Sequence, residues 1–202
     1  MSIYGICLES LYSVMNRLVS QIEAYSRDYE SANGERLYEH LRCRIKSEES
    51  MLDKLRRQGL EPTPMNALRT LTDAIGLRIV CLFIDDVYEC ARRIRMFPQC
   101  AVVAEKDYIR NAKPNGYRSY HMIVDVAVDE PDAEGRTPGH YYVEIQLRTI
   151  AMDTWAALEH ELKYKKSIGK PELIAQELRR CANDLAACDV SMQTLRRVIR
   201  EL

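Results

Sequence analysis

HYYVEIQLRTI, residues 140 to 150, alternates over its second half: Val143, Ile145 and Leu147 are apolar, while Glu144, Gln146 and Arg148 are polar. Successive side chains of a strand point to opposite faces, so this segment reads as a strand with one apolar and one charged face. A helical segment, AMDTWAALEHELKYKK, follows at once. Strand and helix in direct succession belong to a layered domain. Taken alone, the charged face reads equally well as a solvated edge.

Segments on the N-terminal side have the same character. YRSYHMIVDVAV (117 to 128) and CAVVAEKDYI (100 to 109) read as strands, and the Asp/Glu/Gly/Pro-rich stretch 129 to 139 as a hairpin-like loop. IGLRIVCLF (75 to 83) is apolar and β-branched between polar flanks, as a buried strand is. A further strand is expected around 38 to 46, ahead of a helix from 48 to 58 that stops at Gly59. Pro62 and Pro64 punctuate the connection toward Asp73. Helical spacing recurs over 85 to 97, where Val87, Ala91 and Ile94 share a side. Residues 2 to 30 read as a long helix ended by Ser31-Ala-Asn-Gly34, and Gly169 and Pro171 precede a final helix. The sum is an α/β (α+β) fold: a mixed sheet of about five strands flanked by helices, with long N- and C-terminal helices.

The 202 residues can bury a substantial core, and 47% apolar with 29% charged residues argue against disorder. Twenty-nine basic residues nearly cancel 30 acidic ones, which argues against a generally basic nucleic-acid coat but leaves room for a local basic site. No apolar run approaches the ~20 residues that span a bilayer, so no membrane partner is expected. The N-terminus, with Glu9 inside its apolar stretch, reads as an amphipathic helix and not a signal peptide. Seven cysteines without a C-x-x-C pair fit a reducing cytoplasm and weigh against structural zinc.

Chemistry-bearing residues gather in a few places. Asp73 precedes a strand that carries Arg78, and with Glu144 it could hold Mg2+, a hard cation that takes one or two carboxylates plus phosphate oxygens. In RCRIKSEESMLDK (42 to 54), Arg44 and Lys46 share a strand face, while Ser50 and Lys54 share a helix face. That pattern fits a polyphosphate cradle and fits a solvated basic face as well. KPNGYRSYH (113 to 121) sets Tyr117, Ser119 and His121 on one face behind a Lys-Pro-Asn-Gly turn. His40, His140 and His160 show no metal-ligand spacing.

In order, RCRIKSEESMLDK, TDAIGLRIVCLFIDDVY, EKDYIRNAKPNGYRSYHMIV and VEIQLRTIAMDTWAALEHELKYK resemble the synthetase domain of the RelA/SpoT family, specifically its stand-alone small alarmone synthetases. The resemblance covers roughly residues 35 to 200. It implies a nucleotidyltransferase-like fold and transfer of pyrophosphate from ATP to the 3′-hydroxyl of GDP or GTP, making ppGpp or pppGpp. It implies that Arg44 and Arg78 sandwich adenine and that Lys46, Ser50 and Lys54 hold the ATP phosphates. Asp73 and Glu144 would bind Mg2+, with Glu144 also taking the hydroxyl proton. Tyr117 would stack on guanine beside Lys113, Asn115 and His121. Lys106 would reach the acceptor's 5′-phosphates, and Gln146 would fix the acceptor nucleoside.

The implied organisation is an N-terminal helical extension (1–34), a synthetase domain (35–168) and a C-terminal helix (169–202) that serves oligomerisation, as in a homotetramer. The N-terminal extension is expected to be too short for the family's hydrolase domain. DAIGLR, residues 73 to 78, departs from the usual D-I-A-G-[IL]-R yet keeps Asp73 and Arg78 at the same separation. Two rival readings remain. One is a toxic relative that pyrophosphorylates the 3′ end of tRNA, for which Lys54, Arg56 and Arg57 offer a basic RNA-contacting helix, with an antitoxin as partner. The other is an inactive nucleotide- or RNA-binding module, against which Asp73, Glu144 and Tyr117 all argue.

Overall fold

A computed structural model describes residues 2–164 and 171–201. Its centre is a sheet of β1 (His40–Ile45), β2 (Ile75–Cys81), β3 (Cys100–Asp107), β4 (Tyr120–Val128) and β5 (Gly139–Thr149). The spatial order is β1-β2-β5-β4-β3. β2 and β5 run parallel and the other pairings are antiparallel, so the sheet is mixed, as expected. Among the described residues five α-helices accompany it: α1 (Leu8–Asn33), α2 (Glu48–Arg57), α3 (Ile84–Ile94), α4 (Ile150–Tyr164) and α5 (Pro171–Glu201). Among the described residues, no helix is long and apolar enough to cross a membrane.

Alternation along β4 and β5 buries Met122, Val124, Val143, Ile145 and Leu147 in a core. α1 contributes Leu11, Val14, Leu18 and Ile22 to that core, and α3 contributes Val87, Ala91 and Ile94. Spacings of three and four residues keep each set on one helix face. Each large apolar side chain buried in this way contributes about 1.5–3 kcal/mol. The opposite sheet face is polar, and strand register aligns it. Arg42 pairs with Arg78, Arg78 with Gln146, Gln146 with His121, and His121 with Lys106, one row across all the strands.

Several boundaries differ from the sequence expectation. α1 starts at Leu8 after a 3-10 turn, and continues through Ser31 and Ala32 to Asn33. Gly34, at φ 71°, then closes it with an N–H donated to the Glu30 carbonyl at 2.8 Å. β4 starts at Tyr120, so Tyr117 and Ser119 lie ahead of the strand. Ser119 is fully buried and donates to the Leu147 carbonyl at 3.1 Å, so it does not share an open face with Tyr117. The cause is tertiary: Gly116, at φ 93°, presses so close to α5 that a Cβ would lie 2.5 Å from Ala182 Cβ. The connection after Pro62 and Pro64 contains a π-helical turn, Asn66–Thr70, which lays Arg69 over the Tyr142 ring at 4.7 Å. The expected break at Gly169 lies outside the described residues.

α5 is held to the domain through polar side chains. Asp189 accepts from Thr149 Oγ1 at 2.6 Å, and Gln193 Nε2 donates to Asp85 at 2.8 Å. Arg196 donates to Asp86 at 2.6 Å and to Glu35 at 2.5 Å, and Glu35 also accepts from Arg200 at 2.6 Å. The Arg200 and Arg196 hydrogen bonds bring the Glu35 carboxyl from its ordinary 4.5 down to about 2. A depressed acid stabilises the fold fully above its unfolded value and loses that contribution as pH falls through the folded one. Glu35→Gln should therefore lower the thermal midpoint at pH 7 and shrink the loss of stability between pH 4.5 and 2. Calorimetric scans across that range test this, and an unchanged profile would dissociate Glu35 from the docking of α5.

Candidate active site

Two cavities open on the polar face of the sheet, and Glu144 lines both. The first, about 280 Å3, is walled by Arg42, Arg44, Lys46, Asp73, Arg78 and Gln146, with Glu144. The second, about 450 Å3, is walled by Thr72, Lys106, Tyr108, Lys113, His121 and Ile123, with Glu144.

The first cavity is built where β1 and β2 end together. Ile45 pairs with Ile75, and Lys46 donates its backbone N–H to the Ala74 carbonyl at 2.8 Å, which sets Lys46 beside Asp73. Asp73 Oδ2 accepts from Lys46 Nζ, and from Lys54 Nζ of α2 at 2.7 Å. Burial pushes the Asp73 carboxyl up, but the hydrogen bonds and charges of the two ammonium groups outweigh it and leave the group below its ordinary value. Its other oxygen, Oδ1, is buried without a hydrogen-bond partner among the described residues. Arg78 Nε shares that condition, while Arg78 Nη1 lies 3.4 Å from Asp153 Oδ1. Buried polar atoms of this kind are normally satisfied, so unpaired ones lining a cavity mark places for a ligand.

Aromatic groups shape the second cavity. Lys113 Nζ lies 4.6 Å above the Tyr108 ring and 4.9 Å above that of Tyr117. The His121 ring meets Tyr108 edge-on at 5.3 Å. Tyr117 stands next to this wall, its ring 6.0 Å from Tyr108 and 6.3 Å from Trp155. Between the cavities, Glu144 Oε1 lies 3.7 Å from His121 Nδ1, and Oε2 accepts from Gln146 Nε2 at 3.2 Å. The His121 contact pulls the Glu144 carboxyl down more than burial and the charge of Asp73 raise it. It is therefore ionised at neutral pH.

The residues singled out from sequence divide accordingly. Arg44, Lys46, Asp73, Arg78, Glu144 and Gln146 meet at the first cavity, and Lys54 joins them through Asp73. Lys106, Lys113 and His121 meet at the second. Ser50 is outside both walls: its hydroxyl accepts from Ser47 Oγ at 2.9 Å at the start of α2. Asn115 holds the turn, accepting from the Tyr117 N–H at 3.2 Å and donating to Glu159 at 3.1 Å. Residues of the site that carried no assigned role in the sequence reading include Arg42, Thr72, Tyr108, Ile123, Arg148 and Asp153. Tyr108 was within reach of a pattern argument, because it stands two residues after Lys106 on a strand. Asp153, from the first turn of α4, is brought in only by tertiary packing.

The donor set also suits a metal of one kind. Among the described residues there is no cluster of three or more His, Cys, Asp or Glu that could hold a metal. Two carboxylates, one with an unpaired oxygen, suit instead a hard divalent cation that completes its shell from phosphate and water.

A cationic cavity and an aromatic one meeting at an ionised carboxylate define an enzyme of the phosphoryl-transfer class. Residues 43–169 match the model of a region found in RelA / SpoT proteins, and the chain belongs to the RelA/SpoT family. It is 34% identical to the GTP pyrophosphokinase YwaC of Bacillus subtilis over 185 residues, 92% of this chain and 86% of that protein. The crystal structure of small alarmone synthetase 1 from Bacillus subtilis bound to its product pppGpp superposes with a TM-score of 0.81 at 31% identity, covering 94% of both chains. The AMPCPP-bound structure of the same enzyme gives 0.76 at 29% identity, covering 96% of each.

Removing the charge of Asp73 leaves two ammonium groups side by side without their counter-charge. Asp73→Asn should cost about 1–3 kcal/mol of stability in a denaturant titration. An unaltered midpoint would contradict the contact with Lys46 and Lys54.

Proposed function

We propose that the chain is a GTP/GDP diphosphokinase, transferring the β,γ-diphosphate of ATP to the 3′-hydroxyl of GDP or GTP to make ppGpp or pppGpp. The observation that carries this reading is the position of Glu144, the one carboxylate among the described residues that lines both cavities. The names of the relatives, GTP pyrophosphokinase and small alarmone synthetase, point the same way.

In this reading ATP occupies the first cavity. Arg44 and Arg78 pack on adenine, a plane-on-plane contact that also brings positive charge near the phosphates. Lys46 and Lys54 neutralise those phosphates, and Ser50 reaches them only if α2 shifts its first turn. The acceptor occupies the second cavity: guanine stacks on the Tyr117 ring, a contact worth ~1–3 kcal/mol, with Tyr108 standing edge-on beside it. Lys113 and His121 flank the base, Asn115 holds the turn that presents Lys113, Lys106 meets the 5′-phosphates, and Gln146 orients the nucleoside. The 3′-oxygen then faces the β-phosphorus. The O3′–Pβ bond forms as the bond from Pβ to the α-phosphate oxygen breaks, AMP leaves, and Glu144 takes the hydroxyl proton. Asp73 Oδ1 and Glu144 would hold Mg2+, which neutralises charge on the transferred group when bound.

The same reading assigns the enzyme to the cytoplasm and to stringent-response signalling. It also makes α5 a surface for self-association into a homotetramer. Met192, Leu195, Val198 and Ile199 are all at least half exposed, while the buried positions beside them, Asp189, Gln193 and Arg196, are polar. Such inverted amphipathicity is what a helix shared between subunits shows.

The test is transfer from γ-labelled ATP with Mg2+, offering GDP, GTP, GMP and bulk tRNA separately, for the native chain and Glu144→Gln. Label is expected on GDP or GTP, with turnover falling at least ~100-fold in the variant and nucleotide binding retained. Label on tRNA alone would replace this reading with that of a translation toxin. No label on any acceptor would make the chain a binding module. Undiminished turnover in the variant would remove Glu144 from the chemistry.

A further inference from the structure

Arg148 is buried to within 5% of its side chain, and its hydrogen bonds go to side chains around the two cavities. Its Nη2 donates to Tyr117 Oη at 2.7 Å and to Gln146 Oε1 at 2.9 Å, and its Nη1 donates to Asp153 Oδ1 at 2.9 Å. From these contacts a closed ring can be traced. Tyr117 Oη lies 2.8 Å from His121 Nε2, His121 Nδ1 lies 3.7 Å from Glu144 Oε1, and Glu144 Oε2 receives Gln146 Nε2 at 3.2 Å. Gln146 returns to Arg148.

One arrangement of protons gives every hydrogen bond of that ring a donor and an acceptor. A guanidinium only donates. In it Tyr117 Oη accepts from Arg148 and directs its own hydrogen to His121 Nε2, which accepts. The neutral imidazole then carries its proton on Nδ1, the nitrogen that faces Glu144. On the other arm, Gln146 Oε1 accepts from Arg148, which turns the amide so that Nε2, its donor, meets Glu144. Both oxygens of Glu144 thus face N–H groups whose direction is decided at Arg148.

We propose that Arg148, anchored by Asp153, is the positioning residue of this site: it fixes the His121 tautomer and the Gln146 amide orientation, and so aims Glu144 at the acceptor. The proposal rests on the diphosphokinase reading for its kinetic consequence but not for its geometry. Asp153 adds a link to the other subsite, since its Oδ1 also lies 3.4 Å from Arg78.

Tyr117→Phe keeps the ring and deletes the hydroxyl through which Arg148 acts on His121. Arg148→Lys keeps the charge but not the planar fork that reaches three partners. Nitrogen-15 spectra of histidine-labelled protein, with His121 assigned by its loss in His121→Gln, should show the Nδ1–H tautomer in the native chain. Tyr117→Phe should move it toward Nε2–H or a mixture. Both variants should lower kcat at least ~10-fold while the KM for GDP changes less than ~3-fold. If the Tyr117→Phe spectrum keeps the native His121 shifts, or if the native chain shows the Nε2–H tautomer, the proposal is overturned. Equal loss in kcat and rise in KM would likewise reduce Arg148 to a packing role. The spectra need no turnover, so a native chain inactive on every guanosine nucleotide would overturn the diphosphokinase reading and leave the tautomer result to decide the geometry. If Arg148→Lys does not fold, Tyr117→Phe decides the matter alone.

Discussion

Parallel pairing of β2 with β5 sets Gly76 opposite Glu144 and Arg78 opposite Gln146, and the two cavities are arranged on either side of that row. A glycine opposite the carboxylate leaves it uncovered on the β2 side, while Ile123 of β4 stands on its other flank. β1, antiparallel to β2, then brings Arg44 opposite the same glycine, and β4 brings His121 opposite Gln146. A one-residue slip in either pairing would turn each of these groups to the other face of the sheet. Register is held by Ile75, Ile79, Val143, Ile145 and Leu147, all fully buried, so the core and the site depend on the same alignment.

The helices act on the site by unequal routes. α2 delivers Lys54 to Asp73, and α4 delivers Asp153 to Arg78 and Arg148. No described residue of α5 lines either cavity, yet its Ala182 meets Gly116 in the turn that presents Lys113. Its polar docking surface differs from that of α1, which packs through aliphatic residues. Breaking one partner of the buried Arg196–Asp86 pair would therefore disturb α5 first and the lysine turn after it.

Much of the fold was legible in the sequence because alternation and helix punctuation are local. The polarity of residues 143 to 148 and the span of α2, stopped at Gly59, follow from neighbours along the chain. The start of β4 did not, since Tyr117 is held out of the strand by a contact with a helix more than sixty residues away. The π-helical turn at Asn66–Thr70 had no local signature either. For the site, pattern alone left Asp73, Glu144 and the basic cradle as open alternatives, and the family resemblance assigned them. What neither supplied was proximity across elements: Asp153 beside Arg148, or Tyr108 in the cavity wall that had been given to Tyr117.

In the proposed reaction two nucleotides occupy adjoining cavities at once, with Glu144 between them. Calorimetric titration of GDP into protein saturated with a non-hydrolysable ATP analogue tests it most directly. The expected result is full GDP binding at one per chain, weakened by Tyr108→Ala and not by Lys54→Met. Competition between the two nucleotides for a single site would contradict it.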